Sequence, residues 1–378
     1  MTDTTDCLAA DRLRMTPGPT EIPAPVRERM AEPAPNPDLE PEFFSCYRNL
    51  TDKLTRIHAA GPAGEAPATP DRDTVVLGGE GILGLEAAIA SLVSPGDRVL
   101  CLSNGLYGDG FADFVEQYGG EPVRCEISWD ETLDPNAVEA AIESADESFD
   151  VATVVHCETP TGTLNDLEPI LDVLESHTII SVVDAVSSLG GAPVPTDRID
   201  VCLGASQKCF SAPPGLATCT ISDRAWDRIE RVETASLYTD LEPWRTAADE
   251  GEEWFPYTHL AANVLGLDAA ADLLLEEGLE SVFDRHEAAA TLCRDRAAEL
   301  GLDPYPASHE ACSPTVTALE FSGSATDLQE RLRTEHDVVV ATGLGELEDD
   351  IIRIGHMGHN ARTERVERTM VALETALK

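Results

Sequence analysis

The chain of 378 residues carries 70 acidic and 26 basic side chains, which gives a net charge of −44 at pH 7. This charge excludes nucleic acid and an anionic membrane as partners, because both would repel the protein. A normal aliphatic content predicts a folded protein. We interpret the acidic, lysine-poor composition as adaptation to high salt, the alternative being an ordinary acidic cytosolic enzyme.

Three further features concern compartment and metals. The start of the chain is acidic and polar, unlike a signal peptide, and no apolar run approaches the length of a membrane span. The ten cysteines are scattered without metal-ligand spacing. We therefore expect a cytoplasmic protein with reduced cysteines and no metal.

The first predicted elements lead to a glycine-rich turn. Proline and glycine preclude a helix over residues 15–25 and predict a rigid extended segment, whereas apolar spacing predicts a helix over 42–58. A short strand over 74–77 then runs into the turn 78–84 and a helix over 85–93. Free amides at a helix N-terminus bind anions, so the turn is a candidate phosphate site. The alternative is a tight turn that packs helix against sheet.

Strands and helices alternate through the middle of the chain, which is typical of βαβ units and a mostly parallel sheet. Ligands bind such sheets at the carboxyl ends of the strands, where Tyr107, Thr159 and Asp184 are predicted to lie. Tyr107 could stack on a planar ligand there or be an ordinary rim tyrosine. The strands are predicted over 98–103, 122–127, 150–156 and 179–184, and the helices over 109–118, from Pro135 onward and over 166–175.

Lys208 lies just past the next predicted strand, which begins at Asp200. The chain has only two other lysines, Lys53 in a predicted helix and Lys378 at the end. A lysine in a semi-buried pocket loses its charge readily, and the uncharged amine can form a Schiff base. The alternative is a lysine that neutralises acidic neighbours in a loop.

The predicted helices and strands of the C-terminal part follow a different order from those in the middle of the chain. We expect an N-terminal arm over 1–16, a large domain over 17–277 and a smaller α+β domain over 278–378. In the last predicted strand Arg353 lies between isoleucines, where it could clamp a substrate carboxylate or form a structural ion pair. The helices are predicted over 261–276, 280–300 and 325–335, and the strands over 315–321, 337–341 and 351–355.

These candidate residues together describe a site for pyridoxal phosphate. Lys208 would hold the cofactor as a Schiff base and move the α-proton, while Asp184 would keep the pyridine nitrogen protonated. The amides at 80–82 would bind the phosphate. Tyr107 would stack on the ring, and Thr159 could reach its phenolic oxygen.

The motifs resemble those of the class V aminotransferases of fold type I, specifically the alanine–glyoxylate and serine–pyruvate (serine–glyoxylate) group. The resemblance runs from about Thr16 to the C-terminus. Its segments are TPGP at 16–19, GEG at 79–81, LEAA at 85–88, NGLYG at 104–108, TPTG at 159–162, VDAVSSLGG at 183–191, GASQK at 204–208, APPG at 212–215 and RIGHMG at 353–358.

The resemblance implies a large domain with a mostly parallel, seven-stranded sheet, a smaller α+β domain and pyridoxal 5′-phosphate as cofactor. It implies that Lys208 carries the cofactor and that Asp184 pairs with its pyridine nitrogen. It also implies a homodimer in which the segment at Thr258 completes the partner's site. The other implied contacts are Gly81, Ile82 and Gln207 to the phosphate, Thr159 to the cofactor and Arg353 to the substrate carboxylate.

Two positions depart from the family pattern. Glu80 and Ile82 lie in the phosphate turn, where the family usually carries small hydroxyl residues and often His, Thr or Ala after the glycine. A carboxylate close to a phosphate is unfavourable unless it points away. Tyr107 replaces a ring that is often Trp or Phe.

The sequence predicts an aminotransferase that moves an amino group from alanine or serine to glyoxylate or pyruvate by ping-pong chemistry. Alternatives on the same scaffold are 2-aminoethylphosphonate or ureidoglycine transamination, or a lyase such as a cysteine desulfurase that would use Cys312. A third interpretation is a binding protein without turnover. The presence of Lys208, Asp184 and Arg353 together argues against it.

Overall fold

The structure, a computed structural model, describes residues 12–61, 63–64, 72–249, 251 and 253–378. Residues 1–11 of the predicted N-terminal arm lie outside these ranges. The helices are α1 Ala24–Met30, α2 Pro41–His58, α3 Gly81–Leu92, α4 Leu106–Gln117, α5 Pro135–Glu143, α6 Leu167–Ser176, α7 Asp223–Ile229, α8 Ala261–Glu277, α9 Leu279–Glu299, α10 Ala325–Glu335 and α11 Thr363–Ala376. In the part of the chain that is described, no helix combines the length and hydropathy needed to cross a bilayer.

Fourteen strands lie in the same ranges and form one large and three small sheets. They are β1 Leu13–Arg14, β2 Arg72–Gly78, β3 Arg98–Ser103, β4 Glu121–Glu126, β5 Val151–Val155, β6 Cys157–Glu158, β7 Thr163–Leu164, β8 Ile180–Asp184, β9 Val201–Ala205, β10 Leu216–Ser222, β11 Thr317–Glu320, β12 Val338–Val339, β13 Ala341–Thr342 and β14 Ile351–Ile354.

The large sheet has seven strands in the order β2-β10-β9-β8-β5-β3-β4. Only β10 runs against its neighbours, so the predicted mostly parallel, seven-stranded sheet is confirmed. Every residue of β5, β8 and β9 is buried, as expected when helices cover both faces of a parallel sheet. The six parallel strands therefore end at one edge, where β2 leads into α3 and β3 into α4.

A second, smaller core lies around the three-stranded sheet β11-β14-β13. It includes Leu13 and Met15 from the N-terminal segment, because β1 pairs in parallel with β12. The N-terminal segment is thus attached to the C-terminal part of the chain. The boundaries proposed at residues 17 and 278 stay predictions.

The structure differs from the local predictions in five places. Helix α1 begins within the proline-rich segment, because Pro25 stands in the first turn, where its missing N–H is not needed. Strand β10 and helices α7 and α11 were not predicted. The strand expected over 337–341 is two short strands, β12 and β13, in different sheets.

Candidate active site

Lys208 follows β9 at the carboxyl edge of the sheet. Its Nζ donates a hydrogen bond to the carbonyl of Pro17 at 2.8 Å. The main chain of the lysine is fixed by Thr20, whose hydroxyl lies 3.1 Å from the Lys208 carbonyl. Gly18 must be a glycine here, because its φ is +108° and a Cβ would lie 2.6 Å from Lys208 Cδ. The N-terminal segment therefore forms one wall around the lysine.

Asp184 ends β8, the strand next to β9. Its side chain is buried and accepts a hydrogen bond from the N–H of Val186 at 2.8 Å. Burial raises the pKa of Asp184 to about 6, an effect opposed by the Val186 bond and by the charge of Lys208. Burial lowers the pKa of the Lys208 amine, and Asp184 partly reverses this. The site thus holds a lysine that loses its proton more easily than one in water.

Arg353 reaches the site from β14 of the smaller core. The side chain is only 6% exposed, with Nε donating to the Thr342 carbonyl at 2.6 Å and Nη1 to the Thr159 carbonyl at 3.2 Å. Burial lowers its pKa to about 10. No carboxylate within 4 Å pairs with it anywhere in the described ranges, so the structural ion pair that the sequence left open is absent there.

Tyr107 lies in the first turn of α4, which begins three residues earlier than predicted. Its N–H and that of Gly108 donate to the carboxyl group of Glu158 at 3.2 and 2.8 Å. Glu158 is fully buried, and burial raises its pKa to about 8. Sequence reasoning missed this residue, although it directly precedes the candidate Thr159.

Thr159 is buried beside Ser187. The two hydroxyl groups form a short hydrogen bond, and the Thr159 carbonyl accepts from Arg353. Ser187 is a second residue that the sequence did not single out. Thr159 therefore connects the loop after β8 to the guanidinium of Arg353.

The turn before α3 is closed by its own glutamate. Glu80 is the N-cap of α3, and its Oε1 accepts from the N–H of Ile82 at 3.3 Å. Its Oε2 accepts from Nε2 of the buried Gln207 at 2.9 Å. Gly81 packs so closely that a Cβ would lie 3.1 Å from Ala205. The carboxylate that should point away from a phosphate instead lies over the helix N-terminus.

Thr258 is the predicted site residue that the structure does not bring to Lys208. It is exposed, and its hydroxyl donates to Asp38 at 2.8 Å. The flanking Phe255 and His259 are buried in an aromatic cluster, which turns the segment outward. Within one chain Thr258 is therefore a surface residue.

The remaining candidates surround one cavity of about 140 Å³. Gln207 and Arg353 are bonded to residues in its wall. Lys208 and Asp184 suit the ring of a pyridoxal cofactor, but two of the donors expected to bind its phosphate, the Ile82 N–H and the Gln207 amide, already bind Glu80. The lining residues are Glu80, Gly81, Ile82, Leu85, Tyr107, Thr159, Asp184, Val186, Ser187 and Lys208.

Comparison with known proteins identifies the relatives. Residues 68–362 match the family model described as "Aminotransferase class-V". An uncharacterized aminotransferase of Methanocaldococcus jannaschii is 34% identical over 98% of this chain and 94% of its own. Pyridoxamine–pyruvate transaminase of Mesorhizobium japonicum is 35% identical over 90% and 85%. The crystal structure of alanine–glyoxylate aminotransferase from a Nostoc species superposes with a TM-score of 0.89 at 27% identity over 100% of both chains.

The fold and the site define a transferase of fold type I, the class to which the solved neighbours belong. The chain belongs to the class V aminotransferases. Enzymes of this family are dependent on pyridoxal 5′-phosphate, so the predicted family, enzyme class and cofactor are confirmed.

Proposed function

We propose that the chain moves an amino group from a small amino acid, alanine or serine, to glyoxylate or pyruvate. The observation that carries this proposal is the buried guanidinium of Arg353. It has no acidic partner in the described part of the chain and is bonded to Thr159 in the cavity wall. Guanidinium groups bind carboxylates through paired hydrogen bonds, and both substrates carry a carboxylate.

Lys208 is the proposed proton carrier. Burial lowers the pKa of its amine, so the neutral form needed to accept a proton forms more readily. The Pro17 carbonyl orients this amine. In this proposal Asp184, which ends the neighbouring strand, holds a proton on the ring nitrogen of the cofactor. When bound, a pyridoxal cofactor supplies the carbonyl that accepts the amino group and an electron sink.

The size and lining of the cavity support small substrates. Its volume of about 140 Å³ leaves little room for a long side chain beside a cofactor ring. Among the described lining residues Lys208 is the only basic one, which does not favour a phosphonate substrate. The thiol of Cys312 donates to the Ser308 carbonyl and burial raises its pKa, so it is a poor nucleophile for a desulfurase.

We also propose that two copies form a dimer in which Thr258 serves the neighbouring site. Four large apolar side chains are exposed. Ile82 and Leu106 lie on the helices that begin at the cavity, and Tyr238 and Leu260 lie close to Thr258. Such exposed apolar groups are often covered by a second subunit.

High salt is the proposed working condition of this acidic protein.

The amino donor differs between relatives, because two of them are named for different donors, alanine and pyridoxamine. Pyridoxamine is a second candidate, because Glu80 accepts hydrogen bonds from Ile82 and Gln207, two groups that the family resemblance assigns to the phosphate. A carrier without phosphate would avoid the repulsion between a phosphate and this carboxylate.

Absorbance spectroscopy tests the proposed transfer. The protein is prepared in high potassium chloride and loaded with the cofactor, and single amino acids are added without any 2-oxo acid. We expect alanine or serine to convert the carbonyl form of the cofactor into the amine form, and glyoxylate or pyruvate to restore it. A cofactor that no small amino acid converts would contradict the proposal.

A further inference from the structure

The helix α3 end of the cavity is lined by Glu80, Gly81 and Ile82, and the side chain of Gln207 is hydrogen-bonded to Glu80. This end is built to accept hydrogen bonds. The carboxylate of Glu80 accepts the N–H of Ile82 at 3.3 Å and the amide of Gln207 at 2.9 Å. These are two of the groups that family resemblance assigns to the phosphate. A carboxylate bound to both takes the place that an anion would need.

A second observation at the same end is independent of the helix. Gln207 is only 5% exposed, and its Oε1 is buried without a hydrogen-bond partner among the described residues. An amide oxygen accepts hydrogen bonds and does not donate them. Gln207 Oε1 and the Glu80 carboxylate are therefore two acceptors next to each other. They suit a ligand that donates a hydroxyl proton and repel one that carries a phosphate dianion.

The charges around the helix α3 end also disfavour a phosphate. Of the described residues that line the cavity, Glu80 and Asp184 are acidic and Lys208 alone is basic. The amine of Lys208 is bonded to Pro17 and not to the groups at the start of α3. Among the described lining residues, a phosphate bound here would have no basic side chain other than Lys208 to offset its charge.

We propose, resting on the aminotransferase function above, that the helix α3 end binds a hydroxymethyl group. The ligand is a 3-hydroxypyridine with an aminomethyl and a hydroxymethyl substituent, such as pyridoxamine, used as a dissociable substrate. Its amine R–CH2–NH2 and a 2-oxo acid give the aldehyde R–CHO and the 2-amino acid. The amine carbon loses two electrons and the oxo carbon gains them, while nitrogen and oxygen exchange places. No other oxidant is needed.

Equilibrium binding separates the two kinds of ligand without relying on turnover. Wild type, Glu80→Gln and Glu80→Ser are titrated in high potassium chloride with pyridoxal and with pyridoxal 5′-phosphate, and the affinity ratio is measured by calorimetry. Glutamine keeps the shape of the side chain without its charge, and serine opens the turn. Glu143→Gln removes an exposed carboxylate from the end of α5 and serves as the control.

We expect wild type to bind pyridoxal at least about tenfold more tightly than its phosphate, and both Glu80 variants to shift this ratio toward the phosphate by about tenfold or more. The Glu143 control should leave the ratio unchanged. Tighter binding of the phosphate by wild type, or the same ratio in wild type and Glu80→Gln, would overturn the assignment.

A product assay distinguishes failure of this inference from failure of the proposed function. Wild type is incubated with pyridoxamine and pyruvate, and in parallel with alanine and glyoxylate after loading with pyridoxal 5′-phosphate. Formation of pyridoxal and alanine in the first mixture supports the inference. Transfer in the second mixture alone overturns the inference and leaves the proposed function in place. Transfer in neither mixture overturns both.

Discussion

The two ends of the cavity present opposite charges to a ligand. At the Arg353 end a buried guanidinium is bonded only to carbonyl oxygens, whereas at the helix α3 end a carboxylate is bonded to two N–H donors. A buried cation without a counter-ion is costly to keep, so it gains from a substrate carboxylate. A capped helix N-terminus gains nothing from a further anion. The proposed function therefore assigns the carboxylate of a substrate to the Arg353 end.

Lys208→Ala should have the largest effect, because it removes the amine that is proposed to carry the proton in amino transfer. Loss of a positioned acid/base group reduces turnover by a factor on the order of 10³. Amino transfer is measured under saturating substrate, with the exposed Lys378→Ala variant as the control. Turnover within tenfold of wild type would show that Lys208 is not the reactive lysine.

Arg353→Lys should have a smaller effect that is confined to one end. An ammonium cannot make the bond to Thr342, the bond to Thr159 and a paired bond to a carboxylate at once. We expect kcat/KM for the 2-oxo acid to fall by about 10–100-fold, since a hydrogen bond to a charged group is worth roughly 1.5–3 kcal/mol.

The same Arg353→Lys variant should bind pyridoxal with the wild-type affinity, measured by calorimetry. The exposed Arg331→Lys variant, in helix α10, controls for the exchange of arginine for lysine. Loss of pyridoxal binding together with the loss in kcat/KM would mean that Arg353 supports the whole site and that the two ends are not independent.

Local patterns were enough to predict most of the sheet and the edge at which the site lies. Buried runs such as β5 and β9 alternate with amphipathic helices, and this alternation fixes the carboxyl edge that carries Asp184 and Lys208. Strand β10 was not predicted because it departs from this alternation. It follows a proline–glycine turn directly and runs antiparallel, without a helix before it.

Contacts between distant parts of the chain could not be read from local patterns. Arg353 is 194 positions from the Thr159 carbonyl that it contacts, and no periodicity encodes that distance. Glu158 is 51 positions from the N–H of Tyr107. The only signal for it was an acidic residue at the end of a buried strand, which a solvated loop shows equally often. For Glu80 the sequence indicated a conflict between its carboxylate and a phosphate. The structure shows that this carboxylate accepts hydrogen bonds from Ile82 and Gln207.

Glu158→Gln gives the smallest expected effect on the comparison of the two ends, because the Glu158 carboxyl group accepts hydrogen bonds from the first turn of α4 and makes no described hydrogen bond with Arg353 or Glu80. Burial, together with the charges of Asp184 and Asp109, raises its pKa from 4.5 to about 8. Between these values the folded protein keeps a proton that the unfolded chain has lost. Its contribution to the free energy of unfolding is therefore present below about pH 4.5 and declines as the pH rises to about 8.

Chemical denaturation of wild type and Glu158→Gln between pH 5 and 8 measures this decline. Glutamine does not titrate, so the stability of wild type relative to the variant should fall with rising pH by an amount on the order of a few kcal/mol. Titrating groups that do not interact with Glu158 cancel in the difference. Parallel stability curves would mean that Glu158 is already ionised at low pH, bound as a carboxylate by α4. In that case both helix N-termini at the cavity would carry a full negative charge, and the contrast with the Arg353 end would be sharper still.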